Sequence, residues 1–320
     1  MKSATGFIAT LLLFLAAGIA SAQTSEEHIH LDTPTGRIAG TLQLPAAFEG
    51  KPRVALIIAG SGPTDRDGNN PLIPGRNDSL RMLAVALAGE GIASLRYDKR
   101  GVAASLPAGP AESELRFENY VEDAAAWIAR LKADPRFGPV AVIGHSEGSL
   151  IGMLAAQQAG AAAFVSIAGI ADGPSTVLRK QLAGKLPPEL NTESERILAA
   201  LEGGTTVDQV PPALMTLYRP SVQPYLISWF KYVPSQRIAA LTMPVLIVQG
   251  NTDIQVEVAQ ANALYRAKPD ATLAIIPGMN HLFKHVRADP ALQAAAYSDP
   301  SLPVSPLLVK AVGDFLKKTN

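Results

Sequence analysis

Along most of the chain, short continuous apolar runs alternate with longer stretches in which apolar residues return every third or fourth position. Residues 53–59 (RVALIIA), 92–97, 140–144 and 162–167 are of the first kind and predict strands, the continuous runs being buried on both faces. Between them, residues 80–87 carry Leu80, Leu83, Ala84 and Leu87 on one face. Residues 117–132 do the same with Val121, Ala124, Ala125, Ile128 and Leu131, and both stretches predict amphipathic helices. Asn77 or Asp78 is placed to cap the first of these, and Gly91 ends it. Residues 149–159 predict another helix, and residues 26–44 two strands joined at the turn Thr33-Pro34-Thr35-Gly36. After residue 237 the alternation resumes with strand 244–249, helix 256–267, strand 271–276 and a final helix over 306–317. This order predicts an α/β fold, a mostly parallel doubly wound sheet with helices on both faces.

The pattern breaks between about residues 172 and 237. That stretch is helical but interrupted by Pro187-Pro188, Gly203-Gly204 and Pro211-Pro212, and its second half gathers Tyr218, Tyr225, Trp229, Phe230 and Tyr232. It reads as a helical cap inserted over one end of the sheet. Tyr225, Trp229 and Phe230 are its candidate substrate-contacting residues, with the cap's own core as the competing role for the same rings.

The start of the chain reads as an address. Lys2 precedes an apolar run over residues 7–20, and Ala20-Ser21-Ala22 offers small residues for cleavage after Ala22. The run is shorter than the roughly 20 residues of a membrane span. Residues 1–22 are therefore expected to be a signal peptide, residues 23–320 the mature domain, and the location periplasmic or secreted, without a stable membrane span after cleavage. The 320 residues include no cysteine, so no disulfide framework, cysteine nucleophile or cysteine-based zinc site is available. Lys and Arg (28) balance Asp and Glu (28), and no basic stripe exists for a phosphate backbone, which argues against nucleic acid as a partner.

Candidate chemistry concentrates in the turns that follow the strands. Gly144-His145-Ser146-Glu147-Gly148 fits G-x-S-x-G between an apolar strand and a helix, where a serine is lifted at the strand's C-terminal end and flanking glycines avoid collisions. Ser146 is the candidate nucleophile, and the backbone N–H of Glu147 a candidate oxyanion donor at the helix N-terminus. A serine hydroxyl needs a base and the base an orienting acid. His281, in the loop after strand 271–276, is the expected base, with His285 placed one helical turn further on. Asp253, after strand 244–249, is the expected acid, with helix capping as its competing role and Asp270 and Asp289 as weaker candidates. The i, i+4 pair His281 and His285 lacks a following Glu and a third ligand, so no metal site is expected. In the loop after strand 53–59, the N–H of Ser61 is the second candidate oxyanion donor, with Gly60 and Gly62 allowing close backbone approach. Asp65, Arg66, Asp98 and Arg100 on the same rim are expected to brace the loops by ion pairs.

These segments, together with the run over residues 60–69, Arg96-Tyr97-Asp98-Lys99-Arg100-Gly101 and Gly278-Met279-Asn280-His281, resemble the α/β-hydrolases, and within them the esterase side of the serine-aminopeptidase-like, lysophospholipase-like branch. Many relatives carry His-Gly where this chain has Ala59-Gly60. The resemblance implies a cofactor-free carboxylesterase acting on a small-molecule, short-chain acyl ester through Ser146, His281 and Asp253. A serine aminopeptidase or amidase, or a thioesterase, would use the same three residues, and Glu193, Glu195 and Glu202 are the cap carboxylates available for a substrate amine. A non-catalytic binding protein on the same scaffold is the remaining alternative.

Overall fold

The structure, a computed structural model, describes residues 24–47 and 50–319. The expected signal peptide therefore lies outside the described residues. Eight strands, β1 (Ser25–Thr33), β2 (Gly36–Leu44), β3 (Val54–Ile58), β4 (Ala93–Tyr97), β5 (Val140–His145), β6 (Ala163–Ile167), β7 (Val245–Gly250) and β8 (Thr272–Ile276), form one sheet. Their order is β1-β2-β4-β3-β5-β6-β7-β8. The β1–β2 and β2–β4 pairs are antiparallel, and every pair from β4–β3 to β7–β8 is parallel.

The parallel strands read as unbroken apolar runs because both of their faces are covered. Side chains that alternate along a strand enter two separate cores. Val54, Leu56, Ile58, Val142, Phe164 and Ile247 face one, and Ala55, Ile57, Ile143, Val165, Leu246 and Val248 face the other. The second core is closed by α1 (Ser79–Gly89) through Leu80, Leu83 and Leu87. The last helix, Pro306–Lys318, closes the same core through Leu308, Val312 and Leu316. The first core takes α2 (Phe117–Ala133) and α3 (Glu147–Ala159), whose Trp127, Ile128, Ile151 and Met153 are fully buried. β1, at the sheet edge, alternates exposed and half-buried positions.

Five helices lie between β6 and β7: α4 (Pro174–Leu182), α5 (Pro188–Glu202), α6 (Met215–Tyr218), α7 (Gln223–Phe230) and α8 (Pro234–Ala239). The chain then returns through α9 (Val258–Ala267), α10 (Pro290–Ala296) and α11, the final helix. α10 has no counterpart in the sequence reading, since its seven residues show too little apolar period to stand out. Asp78 does not cap α1. It stands in the left-handed region at φ 51° without a capping bond, while Asn77 Oδ1 accepts from Ser79 N at 3.0 Å. His285 is not on a helix either. It is exposed and bridges Met279 across a tight loop in which Phe283 has φ 68°. Among the described residues no helix is long and apolar enough to cross a membrane.

Trp127 is fully buried and packs on Tyr97 with ring centroids 6.0 Å apart. Trp127→Ala should cost about 3–5 kcal/mol in urea unfolding through the cavity it leaves. A loss below about 1 kcal/mol would contradict this packing.

Candidate active site

The β5–α3 junction is a tight turn. Ser146 has φ 55° and ψ −121°, a backbone conformation that L-residues rarely adopt and that persists only when the surroundings impose it. The surroundings do impose it. A Cβ on Gly144 would lie 2.2 Å from Gly148 O, and one on Gly148 would lie 2.5 Å from Ala59 O and Ile58 O. The backbone of α3 thus rests against β5 and β3, and Ser146 is forced outward, half-exposed, into a cavity of about 730 Å³. Ser61, Gly62 and Glu147 line the same cavity. Gly60 passes alongside, where a Cβ would come within 3.2 Å of Ser146 Cβ. The four glycines singled out in the sequence therefore differ: Gly60, Gly144 and Gly148 are needed for space, whereas Gly62 supplies a left-handed residue at φ 70°.

Asp253 and His281 meet two strands away. The loop after β8 packs on the end of β7 so closely that a Cβ on Gly250 would lie 1.9 Å from Met279 O. Asn251 Oδ1 also accepts from Gly278 N at 2.7 Å. His281 Nδ1 is 2.8 Å from Asp253 Oδ2, and both side chains are buried. The two roles considered for Asp253 coexist on its two oxygens. Oδ1 accepts from Gln255 N (2.8 Å) and Val256 N (3.0 Å) and fixes the turn, while Oδ2 takes His281 and Gln249 Nε2 (3.0 Å). Burial pushes this carboxyl up, but the His281 ring and the two backbone N–H groups outweigh it and hold Asp253 below the ordinary range. The other candidate acids are occupied elsewhere: Asp270 pairs with Lys268, and Asp289 caps α10.

His145 ties the two halves together. Its Nε2 is 3.0 Å from His281 O, and its ring lies 4.7 Å from the rings of both His281 and Phe283. Ser146 and His281 are thereby held on neighbouring loops, although their side chains are not hydrogen-bonded to each other; such contacts commonly tighten only when substrate is bound. Burial and the adjacent His281 push His145 down to about 3, so it is neutral at working pH.

Arg66, Asp98 and Arg100 form the expected ion pairs, whereas Asp65 holds backbone N–H groups instead. Arg66 binds Asp98 through its backbone N (2.8 Å) and guanidinium (2.7 Å), Arg100 Nε donates to Asp123 Oδ2 (2.7 Å), and Asp65 Oδ1 accepts from Asp67 N and Asn69 N. A residue with a sharper position was not singled out in the sequence. Lys99, almost fully buried, donates to Gly60 O (2.6 Å) and to Glu147 Oε2 (3.2 Å), and Tyr225 OH donates to Glu147 Oε1 (2.7 Å). The inserted aromatics divide. Tyr225 and Trp229 reach the cavity, but Phe230 does not line it and packs on Trp229, so its placement as a substrate contact is corrected. The cluster is anchored by Phe117 of α2, which stacks on Trp229 and tilts against Tyr225 and Tyr232. Among the described residues no group of three or more His, Asp or Glu side chains gathers as a metal ligand set would.

Comparison with known proteins bears on the fold. The sequence profile of the serine aminopeptidase S33 family matches residues 73–210, which include the Ser146 turn but not Asp253 or His281. Est1E from Butyrivibrio proteoclasticus, solved with ferulic acid bound, superposes with a TM-score of 0.62 over 91% of this chain and 98% of its own, at 19% identity. The chain has the α/β-hydrolase fold. GrgF from Penicillium sp. sh18, an alpha/beta hydrolase, has the same fold (TM-score 0.59, 19% identity, 92% of this chain and 99% of that one). So has a puromycin-hydrolyzing peptidase from Mycobacterium tuberculosis (TM-score 0.58, 19% identity), of which the match covers 39% and this chain 92%. No curated protein sequence matches the chain.

The buried His145 makes a prediction about acid stability. Its folded pKa of about 3 lies below the ordinary 6.5, so the unfolded chain binds more protons between those values. Its contribution is complete above pH 6.5 and is lost as the pH falls toward 3. His145→Gln, which can still donate to His281 O, should therefore show a shallower fall in melting temperature from pH 7 to 4.5 than the wild type. Equal slopes would contradict a neutral buried imidazole.

Proposed function

We propose that the chain is a serine carboxylesterase that hydrolyses short-chain acyl esters. The observation that carries this reading is the 2.8 Å contact between His281 Nδ1 and Asp253 Oδ2, on the same rim as the strained Ser146 turn. With Nδ1–H held by a carboxylate, Nε2 is the basic nitrogen, which is the tautomer a base toward serine needs. In the proposed reaction, Ser146 Oγ attacks the ester carbonyl as its proton passes to His281 Nε2. The tetrahedral oxyanion takes hydrogen bonds from the N–H groups of Ser61 and Glu147. Collapse breaks the C–O bond, the alcohol leaves with the proton from His281, and an acyl-Ser146 ester remains. Water deprotonated by His281 then attacks that ester and releases the carboxylic acid.

An ester is favoured over a peptide with a free amino terminus. The carboxylates lining the cavity, Glu112 and Glu147, are engaged by Arg219 and Ser221 and by Lys99 and Tyr225. The cap carboxylates considered for an amine, Glu193, Glu195 and Glu202, are paired with Arg196 and Arg179 and do not line the cavity. Leu178, Leu217, Val222, Leu226 and Trp229 supply apolar surface to the cavity, as do the well exposed Leu72 and Leu106. Export through cleavage of residues 1–22 to the periplasm or medium belongs to the same proposal and rests on the leader's sequence.

Ser146→Ala should abolish p-nitrophenyl butyrate hydrolysis, and near-normal turnover in the purified variant would refute the assignment. Asp253→Asn should retain substrate affinity but lower kcat by roughly 1,000- to 10,000-fold, because the amide no longer holds the required tautomer. A loss under about tenfold would remove Asp253 from the mechanism.

A further inference from the structure

The Lys99 contacts have a consequence for the oxyanion site, and it rests on the reading of Ser61 N–H as a donor. We infer that Lys99 is a positioning residue, whose ammonium holds the Gly60 carbonyl and thereby aims and polarises the Gly60–Ser61 peptide toward the oxyanion.

Gly60 O and Ser61 N belong to one peptide unit. The chain contains no cis peptide among the described residues, and in a trans unit the C=O and N–H point in opposite directions. Fixing Gly60 O on Lys99 Nζ at 2.6 Å therefore fixes where Ser61 N–H points. A short, charge-assisted bond to the carbonyl also draws electron density along the amide and makes its N–H a stronger donor. This peptide lies beside the nucleophile, since a Cβ on Gly60 would be 3.2 Å from Ser146 Cβ and 3.4 Å from His145 Nδ1.

The same ammonium reaches the other donor. Glu147, whose backbone N–H is the second oxyanion group, directs its carboxylate back to Lys99 Nζ at 3.2 Å. Lys99 thus spans the two donor-bearing segments, with its third side over the Tyr120 ring, 5.0 Å from the centroid. Tyr225 of α7 completes the set through Glu147 Oε1. Lys99 is 1% exposed and Glu147 5%. A buried pair of this kind contributes little net stability over apolar packing of the same volume, so its value lies in where it holds its partners.

The test compares wild type with Lys99→Met/Glu147→Gln, in which no buried charge is left unpaired. Three quantities are read: the second-order rate of fluorophosphonate labelling at Ser146, kcat and KM for p-nitrophenyl butyrate, and the melting temperature. The double variant should melt close to the wild type, while labelling and kcat fall on the order of 10- to 100-fold and KM changes by less than about threefold. A folded double variant that labels at the wild-type rate would overturn the role of Lys99 and leave the esterase reading standing. A wild type that fails to label at Ser146 would overturn both. If the double variant does not fold, Lys99→Arg carries the test. It keeps the charge opposite Glu147 but replaces the compact ammonium on Gly60 O with a planar fork. The same slowing is expected, and wild-type labelling would refute the role.

Discussion

The arrangement of the site depends on a steric constraint at the β5–α3 junction. Gly144 and Gly148 have no room for a Cβ, so the first turn of α3 lies directly on β5 and β3, and the residue between them must take a backbone conformation that L-residues avoid. The strain is held by the surrounding sheet, whose central strands are buried on both faces. It places a serine hydroxyl at the C-terminal rim, beside the loop from β3 and at the positive end of a thirteen-residue helix. Every other functional group is positioned relative to that turn.

Asp253 and His281 are brought to the same rim by close backbone contact of another kind. Gly250 lets the loop after β8 cross the end of β7, so that His281 and Asp253, 28 residues apart, meet in a buried bond. Asp253 does two jobs with two oxygens, one fixing its own turn and one holding the imidazole. His145, neutral and buried, joins this half of the site to the serine half through the His281 carbonyl.

Much of this was legible in the sequence because the physics is local. Continuous apolar runs marked the doubly covered strands, the helical period marked α1, α2 and α3, and the glycines of the elbow announced a close approach. What escaped was set by contacts between distant segments. The Lys99–Gly60 bond joins residues 39 apart in two loops, and in sequence Lys99 is one more charge among Asp98 and Arg100. Phe230 and Trp229 are adjacent and chemically alike, yet only Trp229 faces the cavity, a matter of how α7 rotates on Phe117. Asp78 looked like a helix cap because its type suits one, but the left-handed turn there gives the role to Asn77.

The inserted helices line much of the cavity and, through Tyr225, reach Glu147, the residue that follows Ser146. One buried hydrogen bond thus joins the inserted helices to the first turn of α3. The most direct test of the whole account is a crystal structure of the enzyme after reaction with a p-nitrophenyl phosphonate. The account predicts phosphorus bonded to Ser146 Oγ, with one phosphonyl oxygen at roughly 2.7–3.1 Å from both Ser61 N and Glu147 N. An adduct on another residue, or a phosphonyl oxygen turned away from both N–H groups, would contradict it.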